Sequence, residues 1–189
     1  MDAKSLAAMP RPIAVWHSEH VYFNRLLDLL QGQIDLFHTG QRPGYELMLD
    51  IISYLRDYSD RFHHPREDVA FACLARRSPG MGLALARLSQ EHRVIALAGE
   101  KLAGLLDAVL GEALVTRSEV EVAAATYLVY YRNHIAQEEN GVLACAARVL
   151  TAEDWEEVKA AVPAGPDPLT GADPELRYRE LRRHIALEA

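Results

Sequence analysis

Cysteine is scarce in this chain. There are two, Cys73 and Cys145, and neither belongs to a CxxC pair. Both lie in apolar helical text, which favours buried, reduced thiols over a disulfide. Positive charge is not in excess either: 20 Lys and Arg against 27 Asp and Glu leave a net charge of −7. A nucleic-acid partner needs a basic face, so none is expected. The one basic cluster, RYRELRR at Arg177–Arg183, reads as a solvated helix face. Long apolar runs are missing as well, the longest near-continuous one being Val122 to Tyr131, far too short to span a bilayer. The opening MDAKSLAAMPRPI has no long apolar core of a secretory signal. A soluble, cytoplasmic protein without a membrane partner is the expectation. No stretch carries a convincing strand signal.

What is present is helical periodicity. Half of the 189 residues are hydrophobic, enough for one domain with a sizeable core. Ile13, Trp16, His20, Phe23, Leu27, Leu30 and Ile34 recur at steps of three and four, the seam of a bundle helix. After the turn-rich HTGQRPG, a second stripe runs through Leu47, Ile51, Tyr54, Tyr58 and Phe62 toward Ala70, Phe71 and Leu74. Pro65 interrupts it and predicts a kink, or a break with the proline in a fresh first turn. A third seam runs from Met81 through Leu85, Leu88, His92, Ile95, Gly99, Leu102 and Leu106 to Val109. The fourth follows TRSE, with Thr116 or Ser118 as its cap. It comprises Val120, Ala124, Tyr127, Tyr131, His134, Glu138, Val142, Cys145 and Val149. Thr151 to Asp154 resembles a capping box that opens a short helix through Val162. A loop over Pro163–Gly171 precedes a last amphipathic helix, about Pro174 to Leu187, expected outside the bundle.

The predicted fold is all-α: an up-down-up-down four-helix bundle with one or two extra short C-terminal helices. It forms one domain over 1–189, with the core bundle at about 13–150 and a C-terminal extension at about 151–189.

Eight histidines are the compositional oddity. Each of the four seams carries one: His20, His63, His92 and His134. Two of them are followed four residues later by a glutamate, in the pairs His63–Glu67 and His134–Glu138. Residues four apart share a helix face, so each imidazole and its carboxylate can converge on one point. The spacing is cheap by itself. His184 and Glu188 also have it, at a charged end where it has no role. Four histidines and two carboxylates buried without partners would nevertheless cost several kcal/mol or more. Two first-row ions bridged by the carboxylates resolve that cost. Imidazole and carboxylate without thiolate favour iron or manganese, with zinc also compatible. His17 reads as a surface or outer-sphere group, and His38 falls in turn text. His64 is expected to face away from its neighbour, because adjacent helical residues do not share a face. Tyr58, Tyr127, Tyr130 and Tyr131 are expected core aromatics, from which a phenol could reach a bound oxygen species.

These residues resemble the hemerythrin-like, or HHE cation-binding, family. SEH around His20, YSDRFHHPRED around His63, LSQEH around His92 and NHIAQEE around His134 carry the likeness over nearly the whole chain. LTAEDWEEV and PDPL resemble the tail of a bacterial subgroup. The resemblance implies a four-helix bundle with two non-haem iron ions held by His20, His63, Glu67, His92, His134 and Glu138, both glutamates bridging. Glu139 would be an outward or outer-sphere neighbour. Two departures separate the chain from the oxygen carriers. Ala96 stands where they place a further histidine, and Glu138 falls at four residues where they have an aspartate at five. The set of four His and two Glu is instead similar to iron-sulfur repair di-iron proteins, without their cysteine-pair module. The resemblance thus implies binding or sensing of dioxygen, nitric oxide or peroxide, with a redox enzyme or an iron donor to damaged clusters as the alternative. A homo-oligomer is left open.

Overall fold

The computed structural model describes residues 10–163, 165, 167–169 and 178–187, and its described residues contain helix and no strand. We number the α-helices in chain order: α1 (Arg11–His38), α2 (Tyr45–Tyr54), α3 (His64–Arg77), α4 (Gly82–Leu110), α5 (Arg117–Gln137), α6 (Leu143–Val149), α7 (Ala152–Ala161) and α8 (Arg179–Leu187). π-Helical turns, Leu55–His63 and Glu138–Val142, splice α2 to α3 and α5 to α6 without a loop. The bundle therefore has four long arms: α1, α2–α3, α4 and α5–α6. Within it α4 packs on α5 and α2, and α1 packs on α5 and α2.

The π turns explain how the seams cross their midpoints. A π turn accommodates one extra residue, so the inward face slips by one position at each splice. In the fourth arm the buried set runs Tyr131, His134, Glu138 and Val142, then moves to Leu143, Ala146 and Leu150. Cys145 and Val149, expected on the seam, are only half-buried for that reason. The second arm handles Pro65 in the same way. Proline brings no N–H and its ring would crowd the carbonyl four residues back. The widened turn precedes it, the His64 N–H donates to the Ser59 carbonyl, and Pro65 falls in the first turn of α3. The arm continues through the proline.

Thr116 caps α5 with a full capping box, its hydroxyl accepting from the Glu119 N–H while Glu119 accepts from the Thr116 N–H. Such a cap stabilises a helix by about 1 kcal/mol over alanine. Thr151 and Asp154 form the second box and open α7. Arg77 clamps Asp154 and so ties α7 to α3. Gly99 on α4 lets the Tyr127 ring of α5 approach; a Cβ there would sit 3.1 Å from Tyr127 Cε2. The last helix is more than an outer layer, because Leu181 and Ile185 join the main core against α1 and α2. The predicted start of that helix, near Pro174, lies outside the described residues. Cys73 is buried, Cys145 half-buried, and both are free thiols.

The core divides in two. One cluster gathers Phe23, Leu30, Ile51, Ile95, Leu102 and Tyr127 among others. The second gathers Ile13, Trp16, Phe71, Leu85, Leu88 and Val142 among others. Along the first three arms the singled-out histidine falls between the two sets, and on the fourth His134 adjoins Ile135, where the first set ends before Val142 of the second, so a polar layer lies across the bundle with apolar packing on both sides. No helix among the described residues is long and apolar enough to cross a membrane.

Candidate metal centre

That layer brings the six predicted residues together. Glu67 and Glu138 are fully buried, and His20, His63, His92 and His134 are at most 5% exposed. Glu67 Oε1 lies 3.4 Å from His20 Nε2 and 3.2 Å from His63 Nε2, and its Oε2 lies 3.5 Å from His92 Nε2. Glu138 spans the layer in the same manner, with Oε2 3.4 Å from His20 Nε2 and Oε1 3.1 Å from His134 Nε2. These are attractive distances without hydrogen-bond direction. Both oxygens of Glu67 and of Glu138, and Nε2 of His92 and His134, have no hydrogen-bond partner in the protein. Buried polar atoms are normally satisfied, so a cluster of orphans aimed at one space needs a cause. His20 Nε2 and His63 Nε2 face each other at 2.9 Å. Two imidazole nitrogens held about 2.1 Å from one ion at a right angle would stand about 3 Å apart. The donor set and its spacing fit a cation.

The outer ring is equally ordered. Each of the four imidazoles presents Nδ1 to a carboxylate, which leaves Nε2 to face the centre. His20 Nδ1 meets Glu139 at 2.8 Å and His63 Nδ1 meets Glu19 at 2.6 Å. His92 Nδ1 meets Asp68 at 3.0 Å and His134 Nδ1 meets Glu91 at 3.4 Å. The pairings close a cycle, since α1 holds the histidine of the second arm, α3 that of α4, α4 that of the fourth arm, and the fourth arm that of α1. A carboxylate on the distal nitrogen fixes tautomer and ring orientation and raises the basicity of the inward nitrogen. Glu19 is itself held by Tyr58 at 2.6 Å and Arg66 at 3.2 Å. Glu139 also accepts from His17 Nδ1 at 2.8 Å, so both residues lie around the imidazoles on the side away from the layer's centre.

Charge is concentrated accordingly. Burial works against protonation of His20, but Glu139, Glu67 and Glu138 raise it to about 10. His92, opposed by burial and favoured by Asp68, Glu138 and Glu67, rises to about 11. Burial resists the charge of Glu67 too, yet His63, His20 and His92 hold it well below the ordinary carboxylate range.

His64 overturns the expectation that it faces outward. It is 3% exposed, stacks on His92 with centroids 4.3 Å apart, and lies 5.6 Å from His134. The reason is the π turn, whose wider winding brings consecutive residues 63 and 64 both to the inner side. Burial, with His92, His63 and His134 close by, holds this imidazole well below its usual value. Tyr130 departs as well, being 45% exposed, whereas Tyr127 and Tyr131 are fully buried.

Sequence reasoning missed Glu19, Asp68 and Glu91. A signal existed: each stands next in the chain to one of the six, beside His20, Glu67 and His92 respectively. Each serves the histidine of a different arm, so only the packed bundle reveals the pairing. By spacing alone, His64, Glu67, His92 and His134 form one group of candidate donor atoms within 4.8 Å of each other, and His20, His63 and Glu67 form a second. Glu67 belongs to both. Cys73, Asp154 and Glu157 form a third group, but Arg76 and Arg77 occupy its carboxylates.

Comparison with known proteins agrees with this geometry. A family model described as the hemerythrin HHE cation binding domain matches residues 11–146, which contain every residue of the polar layer. No curated protein and no solved structure matches the chain. With most of its length matched, the chain belongs to the hemerythrin HHE cation-binding family.

Proposed function

We propose that this single-domain protein holds two iron ions through His20, His63, Glu67, His92, His134 and Glu138, with the two glutamates bridging, and binds or senses dioxygen, nitric oxide or peroxide there. The observation that carries the reading is the set of orphaned carboxylate and imidazole atoms that converge in a buried layer. Bound iron supplies a coordination position for a small ligand. The chain supplies the rest: the carboxylate ring orients the imidazoles, and the apolar clusters on both sides keep bulk water from the layer.

Dioxygen added to the anaerobically prepared ferrous protein tests this directly. A visible absorption band that forms quickly and reverses under vacuum is expected. Rapid irreversible oxidation would overturn the binding reading in favour of redox chemistry. Transfer of iron to a cluster-deficient acceptor would overturn it in favour of an iron donor.

Loading should also be linked to protons. His20 and His92 hold theirs in the metal-free protein to about pH 10 and 11, and an ion must displace them. His63 is raised as well, with burial opposed by Glu67 and Glu19, so loading near pH 8 is expected to release at least about two protons, read by titration at constant pH. Affinity should fall as the pH is lowered. Uptake without proton release would show that these imidazoles do not bind the ion.

A further inference from the structure

Outside the polar layer, a cavity of about 540 Å³ opens on the flank where α1 packs on α2. That volume is ordinary for a small-molecule site. Its mouth follows α1 from Arg11 to Tyr22, about 16 Å of helix. Phe23, Tyr54 and Tyr58 make the floor, and all three are buried. Tyr54 and Tyr58 stack 5.8 Å apart at 17°, which occupies one face of each ring. Tyr22 meets Tyr54, and Phe23 meets Tyr58, edge to face.

Charge is uneven along this groove. Glu19, in its wall, is already matched, with Tyr58 and Arg66 donating to one oxygen and His63 to the other. At one end the Arg11 guanidinium has no hydrogen-bond or ion-pair partner among the described residues. At the other end the Tyr22 hydroxyl likewise has no hydrogen-bond partner among them. The charge of Asp167 reaches that hydroxyl, while its carboxylate accepts from Tyr54 and the Leu169 N–H. Burial and Asp167 push the Tyr22 phenol up to about 12, eased by Arg182 and Arg25. Tyr22 is therefore neutral and able to accept a hydrogen bond. An organic cation fits poorly, since stacking covers ring faces and Glu19 is already neutralised. The unmatched groups suit an anion at Arg11, a flat ring on the floor and a hydroxyl donor at Tyr22. We propose that the groove binds a hydroxylated aromatic carboxylic acid in that orientation. The site is independent of the metal reading.

Para-coumarate, titrated calorimetrically into the metal-free whole chain, is the probe. One molecule per chain is expected, with a dissociation constant on the order of 0.1 mM. Cinnamate, which lacks the hydroxyl, should bind about three- to tenfold more weakly, and so should the methyl ester, which lacks the anion. Tyr22→Phe should weaken para-coumarate by the same factor and leave cinnamate unchanged. Arg11→Gln should weaken both acids and leave the ester unchanged. Ser18→Trp, at an exposed position on the rim, should fill the groove and abolish binding. The proposal is overturned by an absence of saturable binding below about 1 mM, or by octanoate binding as tightly as para-coumarate. Equal losses for para-coumarate and cinnamate in Tyr22→Phe would overturn it as well. If Ser18→Trp does not fold, the ligand comparison in the unaltered chain and in Tyr22→Phe decides.

Discussion

Glu67→Ala is expected to abolish the binding of both ions, not one. Its carboxylate is fully buried and lies within 3.5 Å of Nε2 of His20, His63 and His92. It is the residue shared by the two groups of candidate donor atoms. If the two glutamates bridge as proposed, losing it removes one ligand from each position and the negative charge that offsets their cations. In the metal-free protein the same change strands protonated imidazoles among apolar clusters. Removing one partner of a buried ion pair typically costs about 3–5 kcal/mol. The variant should therefore melt lower even without metal. His134→Ala should impair chiefly one position, and His184→Ala should change nothing, since His184 is exposed at the far end of the chain. Metal analysis after reconstitution and desalting reads all three. Full occupancy in Glu67→Ala would show that the carboxylate is only a counter-charge.

Glu19→Gln should weaken metal binding by about 10- to 100-fold while the helices persist. The amide keeps the size of the side chain and can still accept from Tyr58, but it no longer offers a charged acceptor to His63 Nδ1. Asp68→Asn should have the smaller effect of the two. Its side chain is 43% exposed, against 12% for Glu19, so water already weakens its hold on His92. An equal loss in both variants, or none in either, would contradict the view that the carboxylate ring orients the imidazoles. Competition with a chromophoric chelator gives both affinities.

The bundle could be read in the chain because each arm states its inner face with little ambiguity. Leu85, Leu88, His92, Ile95 and Leu102 on α4 keep one stripe along the whole helix, and all are buried. The six inner residues could be read because their side chains are large, polar and set on those stripes. What the pattern could not convey is winding. A regular 3.6-residue period places His64 outside and Cys145 inside, and the π turns reverse the first and loosen the second. No single residue announces such a turn. In retrospect the repeated step of four through His134, Glu138 and Val142, wider than a bundle seam, is its trace. Of the outer ring, Glu139 was legible as a neighbour of the site, while Glu19, Asp68 and Glu91 were hidden for a different reason. Each acid adjoins one predicted residue but holds an imidazole on another arm, so its role exists only in the packed structure.

The direct test of the account is the number of ions that remain with the chain. Anaerobic reconstitution with iron(II), removal of loose metal and elemental analysis should return about two ions per chain, reduced to a trace by Glu67→Ala. Fewer than about one ion in the unaltered protein would mean that the buried histidines and glutamates are packing, and that this layer is not a metal centre.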